Sequence, residues 1–178
     1  MSTDVRVTPP IAVIGDPLDC LTALRSAPEA LAVDSEHDVT CGHRAVVIGV
    51  DITQLRNRRQ LRTVLRDTEL QCVTLAGRLR RLEHVVLAVS DSPVAADESL
   101  LRTCDAVARR IHSRLEQAYA RTIIITAVLI GRCDDGARLA ERLNARVRQR
   151  ECLDGGIALR WTDIARAPIG DLGTNAYL

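Results

Sequence analysis

The first residues that could take part in ligand chemistry follow a short apolar run near the start of the chain. The stretch IAVIGDPLDC places Gly15 and Asp16 directly after four apolar residues. A glycine at such a turn lets backbone amides approach a pyrophosphate at the N-terminus of the following helix. A second run, VVIGVDI, contains Asp51, a carboxylate of the kind that binds the hydroxyls of an adenosine ribose. Each also has a structural interpretation, Gly15 as a strand-to-helix turn and Asp51 as a helix cap.

Strands must bring these residues together. Short apolar, β-branched runs predict strands covered on both faces. They are Ile11–Ile14, Ala45–Asp51, Gln71–Leu75, His84–Val89, Thr122–Leu129 and Ile157–Trp161. The carboxyl ends of parallel strands meet at one edge of a sheet, so we expect a ligand site at that edge. Its candidate positions are Gly15, Asp51, Ser90-Asp91-Ser92 and residues 126–131.

Helical patterns alternate with the predicted strands. Apolar residues form one continuous stripe along Asp97–Tyr119, and a second amphipathic helix is predicted from about Asp135 to Arg150. A weaker helix follows the first strand. Residues 27–44 are expected to form an inserted loop or small hairpin, and residues 165–178 a C-terminal tail. The alternation predicts a single α/β domain over residues 1–178, with a Rossmann-like three-layer fold and a mostly parallel sheet of about six strands.

The chain carries, in this order, the segments VVIGVDI, LAGRLRRLEHVVLAVSDSP and, after the long helix, RTIIITAVLIGR. In order and spacing they resemble the NAD-dependent epimerase/dehydratase family, the extended short-chain dehydrogenases, from about Ile11 to Ile164. The resemblance implies a Rossmann nucleotide-binding domain. By the family's pattern, Gly15 takes the first glycine of the Gly-x-x-Gly-x-x-Gly turn and Asp51 the ribose-binding acid. Leu87-Ala88 takes the segment beside the nicotinamide, and Thr126-Ala127 the region of the catalytic serine.

The same resemblance implies a cofactor site. Its expected residues are Gly15, Asp16, Asp51, Ile52, Ala88, Val89 and Thr126. Leu18 and Leu21 stand where the family has its second and third glycines, and the carboxylate of Asp16 adds a negative charge near two phosphates. We therefore expect NAD to bind weakly or not at all.

The catalytic pattern of the family is missing. Where its Tyr-x-x-x-Lys belongs, the chain has neither residue, and all 24 of its basic residues are arginine. The chain ends at Leu178, where family members continue into a substrate-binding lobe. The expectation is a truncated, degenerate member without catalytic residues, acting as a nucleotide-binding or protein-interaction module. The alternative is an NAD-linked oxidoreductase or epimerase whose catalytic base is unconventional or supplied by a partner.

Composition argues against several kinds of partner. The formal net charge is +1 and aromatic residues make up 2%, so nucleic acid finds neither general attraction nor rings for base stacking. No apolar run approaches the ~20 residues of a membrane span and no signal peptide is evident, which predicts a cytoplasmic protein away from membranes. The six scattered cysteines are expected to be reduced. Cys41 and His43, with His37 nearby, lack a second ligand pair, so no metal site is predicted.

Two predicted helices carry surface residues suited to contact with a partner. The run RNRRQLRTVLR, residues Arg56–Arg66, is typical of a solvated helix face. It also suits an anion, namely a ribose 2′-phosphate, an acidic partner or a nucleic-acid backbone. Beside its core stripe the long helix has a second apolar strip of Leu101, Ala108 and Tyr119. Because the family pairs two long helices from each subunit, this strip and the helix from Asp135 predict a homodimer.

Overall fold

The computed structural model describes residues 10–149 and 155–175. The strands are β1 Ile11–Gly15, β2 Ala30–Ala32, β3 Ala45–Val50, β4 His84–Val89, β5 Ile124–Leu129 and β6 Gly156–Arg160. The helices are α1 Thr22–Arg25, α2 Arg58–Arg78, α3 Asp97–Tyr119, α4 Gly136–Arg148, α5 Trp161–Ile164 and α6 Ile169–Asn175. Single 3-10 turns occupy Asp19–Leu21 and Glu36–Asp38.

The strands form one six-stranded sheet in the order β2-β1-β3-β4-β5-β6, and every neighbouring pair is parallel. Helices cover both faces, which confirms the predicted Rossmann-like three-layer α/β fold. The central strands are buried throughout because each face packs against helices, and their apolar, β-branched sequences suit that environment.

Alternate residues of the strands face two separate cores. Ala12, Val46 and Ile48 face α2 and α3, whereas Val13 and Val47 face α1 and α4. The crossovers β3–α2–β4, β4–α3–β5 and β5–α4–β6 all step in the same direction across the sheet. Since α4 lies on the opposite face from α2 and α3, the β5–α4–β6 crossover has the opposite hand to the other two. Such mixed handedness is rare in parallel sheets.

The predicted strand Gln71–Leu75 is wrong, because these residues lie inside α2. Their apolar character belongs to a stripe with a helical spacing of three to four residues rather than to a two-residue alternation. Its buried members are Leu61, Leu65, Thr68, Cys72, Leu75 and Ala76.

Residues 27–44 are neither a loop nor a hairpin, since they contain β2, which pairs in parallel with β1. In β2 only Ala30 is buried, so this edge strand carries almost no apolar signal in its sequence. The tail predicted for residues 165–178 contains α6, in which Ile169 is buried. The helix Asp97–Tyr119 has the bounds that its apolar stripe predicts. Asp135 is the N-cap of α4, while Arg150 lies outside the described residues.

Two glycines set the distance between β1 and β3. Gly15 has φ +82° and faces Gly49 in the sheet register. A Cβ on Gly15 would run into the carbonyl oxygen of Gly49, and a Cβ on Gly49 into that of Asp16. Both obstructing atoms belong to the backbone of strand ends, so neither can move aside.

We predict that Gly49→Ala lowers the free energy of unfolding by about 3 kcal/mol, because the added methyl group must displace backbone in the centre of the sheet. Urea unfolding followed by circular dichroism measures the effect. The control is Gly77→Ala, where the new Cβ lies 2.8 Å from the hydroxyl of Tyr119, which can turn away. The control should stay within about 1 kcal/mol of wild type. Equal losses in the two variants would contradict the assigned role of Gly49.

Candidate functional site

The direction of strand addition reverses between β1 and β3, and their carboxyl ends therefore form the crevice in which parallel sheets bind ligands. Gly15, Asp16 and Asp51 are exposed at this crevice, whereas the predicted Ile52 is fully buried in the core behind it. The backbone of Asp16 donates to the Gly49 carbonyl at 2.9 Å. Its carboxylate Oδ2 accepts the backbone N–H of Asp51 at 2.7 Å. The Asp51 amide is thus bound by a side chain of the protein and is not free for a ligand.

Asp51 is held by its own loop. Its Oδ1 accepts the backbone N–H of Thr53 at 2.9 Å, the Thr53 hydroxyl at 2.7 Å and the Ser90 hydroxyl at 3.0 Å. The two bonds from Thr53, helped by Ser90, keep the pKa of Asp51 below its ordinary value. This geometry is a turn stabilised by a side chain, the structural alternative for Asp51.

Ser90, at the end of β4, completes the network. Its side chain is buried, and Oγ accepts the backbone N–H of Ile52 at 2.8 Å while donating to Asp51. Asp16, Asp51, Thr53 and Ser90 form what we call the crevice network. It joins the ends of three adjacent strands through groups that a nucleotide would otherwise contact.

The turn after β1 is closed by its own backbone hydrogen bonds and buried leucines, and it lies beside an open pocket of about 560 Å³ that Gly15, Asp16 and Gly49 line. The backbone N–H of Leu18 donates to Asp16 O at 3.0 Å, and that of Leu21 to Leu18 O at 2.9 Å. Leu21 is fully buried in the core between α1 and α4, and Leu18 packs on the same core. The helix that follows is one 3-10 turn and the four residues of α1, too short to supply a strong helix dipole.

The other predicted cofactor residues do not reach the crevice surface. Ala88 and Val89 are fully buried within β4. Thr126 lies in the middle of β5, and its hydroxyl accepts a bond from Arg146 Nε at 3.1 Å. Because both faces of β5 are covered, its sequence gives no sign of which residues point towards α4.

Sequence reasoning missed Arg146, whose side chain is 1% exposed. Besides Thr126 it contacts Gln149, donating to Oε1 at 3.0 Å. The carbonyl of Gln149 lies 2.9 Å from His84 Nε2, and burial, with a smaller contribution from the Arg146 charge, lowers the pKa of His84. The sequence does contain one signal that Arg146 is buried: its spacing from Leu139 and Leu143 places it on the inner side of α4.

A pocket of about 260 Å³ opens at the carboxyl ends of β4, β5 and β6, beside the first turn of α3. Arg132 pairs there with Asp97 at 3.0 Å, and Arg160 pairs with Glu98. Trp161 forms part of the wall and donates its Nε1 to Asp134 at 3.0 Å. The charges of both arginines are already compensated by carboxylates of the chain.

The region of Cys41 and His43 does not assemble a metal site. His43 is fully buried, and its Nδ1 accepts the Thr40 amide at 3.1 Å, whereas Cys41 is exposed. Among the described residues, no three potential ligands come together to hold a metal ion. Across the same two ranges, no helix is both long and apolar enough to cross a membrane.

The apolar strip predicted for a homodimer is used inside the chain. Ala108 is fully buried against β6, where a Cβ on Gly156 would lie 2.7 Å from its carbonyl carbon. Leu101 packs on the core, and the Tyr119 hydroxyl donates to the Val73 carbonyl at 3.3 Å. The helices named for a four-helix bundle, α3 and α4, lie on opposite faces of the sheet. They cannot present one common surface to a second copy.

Comparisons with protein-family models, with curated proteins and with solved structures found no match.

The crevice network predicts that Asp51→Ala lowers the free energy of unfolding by about 1 kcal/mol near pH 7. A carboxyl whose folded pKa is depressed stabilises the protein above its ordinary pKa, about 3.9, and that stabilisation is lost as the pH falls through the folded pKa. The difference between variant and wild type should therefore shrink on acidification below about pH 4. Denaturant unfolding over a pH series measures it, with the exposed Asp67→Ala as control. A difference independent of pH would contradict the hydrogen-bonded carboxylate.

Thiol reactivity gives a second check on the site. Burial, with the neighbouring Cys133 thiol adding to it, raises the pKa of Cys20 to about 11. Cys20 should therefore react slowly with iodoacetamide near pH 8 and faster up to about pH 11, because only the thiolate reacts. The exposed Cys41 should react first, while Cys72 and Cys104, which are buried, react only after unfolding. Peptide mapping by mass spectrometry follows each site, and Cys20 reacting before Cys41 would contradict the structure.

Proposed function

We propose that this chain is a catalytically degenerate, epimerase/dehydratase-like Rossmann protein that acts as a protein-interaction module and does not use a dinucleotide. The observation that carries the proposal is the hydrogen bond from the Asp51 amide to the Asp16 carboxylate at 2.7 Å. It fixes a negatively charged carboxylate at the turn after β1, where the resemblance would place a pyrophosphate. A pyrophosphate at that turn would have to overcome repulsion from the Asp16 carboxylate.

The absence of catalytic groups supports the same conclusion. The chain has no lysine, so the lysine that lowers the pKa of the family's tyrosine has no counterpart. Arginine does not replace it, because its guanidinium differs in shape and stays protonated. His84 begins β4 and His112 contacts the carbonyl of Ile123, just before β5, so both lie near the amino edge of the sheet. They are therefore remote from Ser90 at the opposite edge.

The surface that supports an interaction role is the N-terminal half of α2. Arg58, Arg59, Arg62 and Arg66 are exposed there, and within the described ranges none of them makes an ion pair. A buried or ion-paired arginine can be explained by its contribution to the stability of the fold. Four arginines without an ion pair on one helix instead repel one another. Their clustering suits the recognition of an acidic partner.

We predict no binding heat when NAD, NADP, a nucleotide sugar or ATP is titrated into the protein by calorimetry, at ligand concentrations up to about 1 mM. The fluorescence of Trp161, the one tryptophan of the chain and part of the wall of the β4–β6 pocket, gives an independent readout. It should also stay unchanged, since the arginines of that pocket are already paired.

A sub-micromolar dinucleotide affinity would overturn the proposal. Hydride transfer that Asp51→Ala abolishes would do the same and would favour the NAD-linked enzyme with a partner-supplied base. Glu141→Ala is the matched control for that variant, because it removes an exposed carboxylate of α4 that takes no part in the crevice network.

A further inference from the structure

A groove of about 550 Å³ runs between the outer sides of α2 and α3. Its described lining combines apolar side chains with arginines and with the hydroxyls of Ser99 and Thr103. Leu65, Ala106 and Val107 contribute the apolar part. Arg62 comes from α2, and Arg102 and Arg110 come from α3, so both helices supply cations to the same opening.

The positive charge of the groove is only partly compensated. Glu69 is the buried carboxylate beneath it, and two arginines share it, Arg110 at 2.8 Å and Arg114 at 3.3 Å. The side chain of Arg102 is 76% exposed, and its Nε lies 3.7 Å from Glu98, which also pairs with Arg160. No carboxylate among the described residues pairs with Arg62. The groove therefore carries an excess of cations over carboxylates.

A second copy of the chain is a poor occupant for this groove. In a two-fold dimer each surface meets its own copy, so Arg62 and Arg102 would face the same arginines of the partner subunit. Like charges brought together at an interface oppose association. The groove requires an occupant of opposite charge.

Nucleic acid fits the groove less well than a peptide does. Beside the hydroxyls of Ser99 and Thr103, the groove has apolar side chains, Leu65, Ala106 and Val107, that a sugar-phosphate backbone does not use. The groove has no aromatic side chain among its described lining residues, so bases find nothing to stack on. Apolar side chains of a helical segment, by contrast, suit a groove between two helices.

We propose that the α2–α3 groove binds an acidic, amphipathic helical segment of a partner protein. Leucine-type side chains of the segment lie on Leu65, Ala106 and Val107, and flanking glutamates or aspartates pair with Arg62, Arg102 and Arg110. The proposal rests on the proposed interaction function and identifies its partner by charge and shape. It does not depend on which ligands enter the crevice or the β4–β6 pocket.

The test uses the full chain and a fluorescein-labelled synthetic helical peptide of about 18 residues, five turns, with leucines on one face and glutamates beside them. Fluorescence anisotropy should give a Kd on the order of 10 µM that weakens as salt increases. A peptide with lysine in place of every glutamate should not bind. A short labelled DNA duplex should bind more weakly than the acidic peptide.

Variants then locate the contact. Arg62→Glu combined with Arg102→Glu should weaken peptide binding at least about tenfold. The matched control, Arg138→Glu with Arg166→Glu, makes the same change of charge at exposed residues on the α4 side of the sheet. It should change the Kd by less than about twofold, since its charges lie beyond a Debye length from the groove. Circular dichroism checks that both double variants remain folded.

Three results would overturn the proposal. They are the lack of acidic-peptide binding at about 100 µM, an equal loss of affinity in the control variant, and tighter binding of the DNA duplex. None of these results bears on the nucleotide titration, which tests the proposed function separately. Failure of the groove proposal can therefore be distinguished from failure of the proposed function.

Discussion

The close approach of β1 and β3 at Gly15 and Gly49 determines what the carboxyl edge of the sheet can do. The two residues are partners in the register, and neither has a Cβ to separate the strands. The backbone of Asp16 is thereby drawn onto the Gly49 carbonyl, and its carboxylate reaches the amide of Asp51. A glycine at this turn usually makes room for a ligand. Here the glycine instead lets β1 and β3 approach closely, beside an open pocket of about 560 Å³ that Gly15, Asp16 and Gly49 line.

The charges of the chain are unevenly distributed over its surface. Asp16 and Asp51 are both exposed at the carboxyl edge, whereas exposed arginines crowd the first half of α2. The formal net charge of +1 averages over these regions and hides both of them. Composition therefore argues against a general attraction to polyanions, but it has no bearing on a local basic groove. Local charge, rather than the total, decides which partner a surface accepts.

The sequence predicted most strands and the longest helix because their periodicity reflects burial directly. His84–Val89 and Asp97–Tyr119 have the predicted bounds. Prediction failed where the apolar pattern of the sequence does not show which kind of element is buried. QCVTL is apolar enough for a strand, yet it continues the stripe of α2, and β2 is an edge strand with one buried residue. Gly15, Asp16 and Asp51 lie at one edge of the sheet because each ends or follows a parallel strand. Whether the donors and acceptors of these residues are already hydrogen-bonded depends on contacts between strands. Those contacts cannot be read from a single sequence.

The unusual crossover of α4 explains why the α2–α3 surface is open. A β5–α4–β6 connection of the common hand would have laid α4 beside α3, over β6. Because α4 instead packs on the face of α1, α3 must cover β6 itself, which brings Ala108 against Gly156 and buries it. The helix layer on that face then consists of α2 and α3, with a groove between them. Arg62, Arg102 and Arg110 line this groove, whereas Ala108 is buried against β6.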